Sequence, residues 1–208
     1  MLDVCEIFTS IQGEGPLMGR PAAFLRLAGC LPPFCEACDT PHALAPGRRM
    51  PASGVTEALA DRPSLVVITG GEPFCQWATG LSEVAFHLEA AGREIQFETS
   101  GKAGIPADAP GMVVCSPKPM DRPKLGADAR ARADAFKFVI AEGAAGEETL
   151  ARILAFDLPA EKIWLMPEGR HRQEQLRRMP RVWEMCAAHG YRFSPRLHIL
   201  AFDDKKGV

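Results

Sequence analysis

Short apolar runs rich in branched side chains recur along the chain, at Ala22–Ala28, Leu65–Thr69, Glu94–Glu98, Met112–Cys115, Ala135–Ile140, Ile163–Met166 and Leu197–Ala201. Such runs, apolar without strict alternation, are the pattern of strands covered on both faces. Segments with the helical apolar period lie between several of them, most clearly at Leu81–Ala91, Glu147–Phe156 and Gln173–His189. Alternating strand and helix predicts an α/β fold with a mostly parallel sheet. About six strands with fewer helices fall short of a closed eightfold barrel of about 250 residues. The expected architecture is therefore a partial, incomplete TIM-like barrel, open along one side. With 208 residues, no repeat and no serine- or glycine-rich linker, one domain spanning 1–208 is expected. Two stretches, 31–53 and 116–132, are dense in proline and charge without periodicity. Loops of that length in a compact domain tend to carry function or to move.

A formal net charge of −2 gives no positive field of the kind that holds a protein on nucleic acid. No stretch approaches the roughly 20 apolar residues that span a bilayer, and the amino terminus lacks the basic-then-apolar order of a signal peptide. A cytoplasmic protein with no nucleic-acid or membrane partner is expected. Seven cysteines is an odd number, and three of them crowd into residues 30–38. That pattern favours metal binding over a disulfide framework. The other four, Cys5, Cys75, Cys115 and Cys186, are expected to act as small buried hydrophobes.

The run Ala28-Gly29-Cys30-Leu31-Pro32-Pro33-Phe34-Cys35-Glu36-Ala37-Cys38-Asp39-Thr40 follows directly on a predicted strand. Three thiolates are thus presented at a strand's carboxyl end, where α/β folds place ligands. Thiolates select iron in sulfur clusters, and zinc. Three rather than four grouped cysteines leave one metal position open. A zinc site completed by His42, or three free thiols without metal, are the alternatives.

Val66-Val67-Ile68-Thr69-Gly70-Gly71-Glu72-Pro73 is a second buried strand, breaking into glycines that let backbone approach a ligand. Glu98-Thr99-Ser100 and Ser116-Pro117-Lys118 end the next two strands with polar groups at the same edge. Near the amino terminus, Glu6 to Pro16 and Arg26 supply an amide, a carboxylate and a guanidinium. These can read a pterin-like edge and grip a carboxylate, although a polar hairpin with a surface-paired arginine gives the same pattern.

The cysteine cluster followed by Gly-Gly-Glu-Pro resembles the radical S-adenosylmethionine superfamily, whose members hold a 4Fe-4S cluster on three cysteines. Here the spacing is four residues then two rather than three then two, so the loop after Cys30 must bulge, and Ala37 stands where an aromatic is usual. Ser10 to Gly15, Gly19-Arg20-Pro21, Phe24 to Cys30, Cys38-Asp39-Thr40 and the Lys-Lys-Gly-Val end resemble the 7-carboxy-7-deazaguanine synthase family within it. The resemblance covers most of the chain and is loose over 139–196.

It implies an abbreviated radical S-adenosylmethionine core in which a reduced cluster cleaves S-adenosylmethionine to a 5′-deoxyadenosyl radical. The substrate implied is 6-carboxy-5,6,7,8-tetrahydropterin, contracted to 7-carboxy-7-deazaguanine with loss of ammonia. Cys30, Cys35 and Cys38 would hold the cluster, and Thr40 a Mg2+ ion. Ala37, Cys38, Asp39, Gly71, Glu72, Glu98, Ser100, Ser116, Pro117 and Lys118 would hold S-adenosylmethionine. Ile11, Gln12, Gly13, Glu14, Arg26, Thr69 and Val208 would meet the substrate. An electron donor such as flavodoxin and a homodimer are implied as partners. A glycyl-radical activating enzyme would share the cluster but not need the Gln12, Glu14, Arg26 and Thr40 set. A zinc-knuckle interaction module would use His42 and have no reason to carry Gly70 to Pro73.

Overall fold

The computed structural model describes residues 1–35, 38–118 and 125–205. Among them, nine strands form one sheet: β1 (Leu2–Ile11), β2 (Pro21–Leu27), β3 (Arg48–Met50), β4 (Leu65–Gly70), β5 (Glu94–Thr99), β6 (Met112–Cys115), β7 (Ala135–Ile140), β8 (Ile163–Pro167) and β9 (Arg192–Phe193). Their order is β3-β1-β2-β4-β5-β6-β7-β8-β9. Every neighbouring pair from β2 to β9 is parallel, whereas β1 runs antiparallel to both β2 and β3. The helices are α1 (Ala52–Leu59), α2 (Leu81–Ala90), α3 (Ala127–Arg132), α4 (Ala144–Phe156), α5 (Arg172–His189) and α6 (Leu197–Phe202). Because β3 and β9 end the sheet without meeting, the barrel is incomplete, as the apolar pattern predicts.

The expected strand at Leu197–Ala201 is instead α6. Leu200 and Asp203 donate backbone hydrogen bonds to the carbonyls of Arg196 and Ile199, at 3.0 and 2.8 Å. Only Ile199 of this helix is buried, so a short apolar run had no second covered face to require a strand. The sheet edge is taken by β9, and β1 and β3 bring the strand count above the expected six. Cys115 and Cys186 are buried, but Cys5 is only half-buried and Cys75 is exposed. Cys5 sits at a bulge in β1, and Cys75 lies on the solvent side of a 3-10 turn that buries Phe74 instead.

The two faces of the sheet differ in chemistry. Leu25, Ile68, Phe97, Val113, Phe136 and Leu165 face the helices and join Val84, Ile153 and Val182 in one core. Each such side chain, fully buried, contributes about 1.5–3 kcal/mol. On the concave face, Ala22, Leu65 and Val67 pack with Leu17 and Phe24. Registered partners point to one face, so Arg26 and Thr69, paired across β2 and β4, share that concave face. Glu98 and Lys137 stand further along it. The concave face is therefore apolar toward the amino ends of the strands and polar at their carboxyl ends.

Candidate active site

The cysteine loop and the glycine turn are stitched together by main-chain atoms. Gly71 N donates to Leu27 O at 3.1 Å, and Glu72 N donates to Gly29 O at 2.8 Å. A Cβ on Gly71 would overlap the Gly29 carbonyl and crowd Cys30 Cβ, and Gly70 holds φ at 142°. Only glycine allows this approach. Cys30, Cys35 and Cys38 are all half-buried. Lys102 Nζ donates to Pro33 O at 2.6 Å, Cys38 N to Cys35 O at 3.2 Å, and Arg170 Nη2 to Cys38 O at 2.9 Å. Burial, with the Glu72 charge adding, pushes the Cys30 thiol above its ordinary value. A cation that compensates the thiolate removes that cost.

His42 does not close the cysteine set. The donors gathered around it within 4.8 Å are Cys5 and Glu6. Three soft donors on one loop, open to solvent on one side, suit a cluster that keeps one iron for a small ligand. On β5 and just after β6, two buried polar atoms have no hydrogen-bond partner among the described residues, Gln96 Oε1 and Ser116 Oγ. Native interiors rarely leave such groups unpaired, and a bound polar ligand would satisfy them.

Glu72 is fully buried and its carboxylate is engaged by protein. Thr99 Oγ1 donates to it at 2.6 Å, Ser100 N at 2.9 Å and Ser100 Oγ at 2.5 Å. Its side chain thus braces the end of β5, leaving main-chain atoms of the turn to face a ligand. Asp39 accepts from Thr40 Oγ1 at 3.2 Å and from Arg196 Nη2 at 2.5 Å. Pro117 and Lys118 are half-buried after β6, and Lys118 O accepts from Arg152 at 3.2 Å. Ala37 and Val208 lie outside the described residues.

Gln12, Glu14 and Glu98 converge on Lys137. Lys137 Nζ donates to Glu14 Oε2 at 2.8 Å and to Glu98 Oε2 at 2.9 Å. Glu98 Oε1 also accepts from Gln96 at 2.6 Å and Gln12 at 3.4 Å. Arg196 Nε donates to Glu14 Oε1 at 2.9 Å. Burial alone would raise the Glu14 carboxyl, but Lys137, Arg196 and His198 hold it far below its ordinary range. Glu98 shares one cation, and burial pushes it up. Burial opposes the Lys137 charge, yet two carboxylates hold it well above the ordinary lysine value. Gly13 has no room for a side chain because His198 Nδ1 occupies that space. Ile11 points to solvent at 51% exposure, so only its backbone can serve the pocket. Arg26 Nε donates to Glu6 Oε1 at 2.7 Å, with its guanidinium 5.8 Å from the centre of the Phe8 ring.

Lys137, Arg196, His198 and Glu6 are site residues that sequence reasoning missed. Lys137 had a signal, as the one charge inside the apolar run Ala135–Ile140, where a buried cation needs a partner. Arg196 and His198 lay beside and within the run misread as a strand.

No family model matches the chain. The 7-carboxy-7-deazaguanine synthase of Pyrobaculum aerophilum is 36% identical to it, over 98% of this chain and 96% of its own length. That of Hyperthermus butylicus is also 36% identical, over 96% and 92%. The chain belongs to the 7-carboxy-7-deazaguanine synthase family. The crystal structure of QueE from Escherichia coli superimposes with a TM-score of 0.76 at 27% identity, covering 95% of this chain and 94% of that one. These overlaps run almost end to end, so the cysteine loop, the glycine turn and the polar concave face belong to a chain matched over nearly its whole length.

Proposed function

We propose that this family member is a single-domain radical S-adenosylmethionine carbon–nitrogen lyase. It converts 6-carboxy-5,6,7,8-tetrahydropterin to 7-carboxy-7-deazaguanine with loss of ammonia, in queuosine or related deazapurine biosynthesis. The observation that carries the reading is the joining of Gly71 to the Cys30 loop beside a buried polar face. When bound, a 4Fe-4S cluster and S-adenosylmethionine supply the one-electron chemistry that abstracts hydrogen.

Cys30, Cys35 and Cys38 hold the cluster in this reading. The Gly71–Glu72 backbone, Ser100, Ser116 and Lys118 line S-adenosylmethionine, with Ser116 Oγ as an unpaired donor ready for it. Gln12 and Glu14 read the edge of the pterin. Glu14 stays charged beside Lys137 and Arg196, and so accepts hydrogen bonds from ring N–H groups. Arg26 takes the substrate carboxylate in exchange for Glu6. Thr40 offers a hydroxyl to Mg2+, an oxygen donor suited to a hard cation. A homodimer, a flavodoxin-type electron donor and a cytoplasmic location complete the reading; among the described residues no helix is long and apolar enough to cross a membrane.

Anaerobic reconstitution with iron and sulfide tests it. The protein is expected to take up a brown cluster, cleave S-adenosylmethionine under reduction and form the deazapurine. Cys38→Ala is expected to abolish cleavage. Stoichiometric zinc in the cysteine loop with no cluster absorbance would overturn the reading.

A further inference from the structure

Among the described residues, two groups bring three metal-ligating atoms within 4.8 Å of one another, and both lie outside the cysteine loop. One, His171 with Asp203 and Asp204, is already used locally. Asp203 accepts from Arg172 N at 3.1 Å and lies 3.1 Å from His171 Nδ1, closing α6 against the start of α5. The other is Cys5, Glu6 and His42, of which only Glu6 is engaged, accepting from Arg26 Nε at 2.7 Å.

Consecutive strand residues normally point to opposite faces. Cys5 and Glu6 do not, because the pairing of β1 with β2 jumps from Val4 opposite Leu27 to Glu6 opposite Arg26. Val4 and Ile7 both pack against the helix-side core although they are three residues apart, so the bulge flips the alternation between them. The extra residue leaves Cys5 beside Glu6 rather than behind it. His42 arrives from the 3-10 turn Pro41–Leu44, which is anchored by Gly29 N donating to Ala43 O at 2.7 Å.

His42 Nε2 lies 3.6 Å from Glu6 Oε1. That is too long for a good hydrogen bond, but close to the ~3.4 Å that separates two nitrogen or oxygen ligands on a tetrahedral zinc. Neither the Cys5 thiol nor the His42 ring has a hydrogen-bond partner among the described residues. Glu6 and His42 side chains are 39% and 50% exposed, so an ion can enter and keep a water. The Arg26 cation balances the Glu6 carboxylate, and the Cys5 thiol gives up its proton only as a dication binds. One sulfur, one imidazole and one carboxylate select a zinc-type ion over magnesium.

We propose that Cys5, Glu6 and His42 form a second metal site, binding a zinc-type divalent cation with water in the fourth position, separate from Cys30, Cys35 and Cys38. The test uses the cluster-loaded protein, dialysed anaerobically against buffered zinc and then against metal-free buffer. Iron and zinc are counted, and zinc K-edge absorption reports the neighbours of zinc alone. The expected result is about one zinc per chain at unchanged iron, with one sulfur and the remaining neighbours nitrogen or oxygen. His42→Ala and Cys5→Ala should each weaken zinc retention about tenfold or more, with iron content unchanged. A chain that retains no zinc overturns the proposal, as does zinc surrounded by three sulfurs, or His42→Ala holding zinc as tightly as the parent. His42 is exposed, so its variant remains decisive even where Cys5→Ala disturbs the bulge. Because the readout is metal content, the outcome is independent of whether the proposed reaction is correct.

Discussion

Lys137 Nζ lies 2.8 Å from Glu14 Oε2 in a largely buried part of the concave face, and the same ammonium reaches Glu98 at 2.9 Å. One cation thus aligns a residue from the turn after β1 with one from β5. These two positions are 84 residues apart in the chain, and both carboxylates would repel without it.

Lys137→Met should leave Glu98 without a cation in the interior and Glu14 with Arg196 alone. Removing one member of a buried ion pair costs about 3–5 kcal/mol. Urea denaturation of the cluster-free protein at neutral pH measures the loss; a change below about 1 kcal/mol would mean that the triad is effectively solvated.

Acid should destabilise the fold through Glu14. Its folded-state value lies below the ordinary 4.5, so its contribution is complete above 4.5 and is lost as pH falls toward the folded value. Glu98 acts in the opposite sense, because its folded-state value is raised and proton uptake favours the folded chain. Glu98→Gln is therefore expected to steepen the acid-side loss of stability relative to the parent. Denaturation midpoints collected from neutral pH down past 4.5 read the slope, and an unchanged or shallower one would contradict this assignment.

Gly71→Ala should push the turn away from the cysteine loop. The added methyl has the Gly29 carbonyl in its way, and overpacking of this kind costs about 1–3 kcal/mol. Reconstituted iron content is expected to fall along with stability. Full cluster loading in this variant would show that the loop can form without the turn.

Arg26→Ala should separate cofactor cleavage from product formation. Arg26 stands on the concave face in register with Thr69. Product is expected to fall about a hundredfold, equivalent to about 2.7 kcal/mol at the transition state, while reduced protein still releases 5′-deoxyadenosine. Equal loss of both products would remove Arg26 from substrate binding.

Much of this fold was legible before any coordinates. In the run Leu65–Thr69, Val66 and Ile68 enter one core and Leu65 and Val67 the other, so continuous apolarity marked the strand unambiguously. Leu197–Ala201 failed because its length fits either period and its partners lie far away in the chain. In the site, cysteines and glycines announced themselves by local spacing. Arg196 and His198 could not, since their importance comes from meeting Glu14 and Gly13 across the whole length of the sheet. Glu72 illustrates a subtler gap: its motif was visible, but not that its carboxylate turns inward to Thr99 and Ser100.

The cysteine loop is held by its own main-chain atoms. Leu27 and Gly29 carbonyls hold the glycine turn, Gly29 N is held by Ala43 O, and Gln76 Nε2 donates to Ala28 O at 2.8 Å. None of these bonds reads a side chain between Leu31 and Cys35. Lys102 Nζ, which reaches Pro33 O at 2.6 Å, likewise takes a carbonyl and not a side chain, so the bonds that seat Cys30 do not depend on which side chains stand between it and Cys35. The frame sets the path of the main chain and leaves the side chains of that stretch, half-exposed Phe34 among them, outside the bonds that hold it.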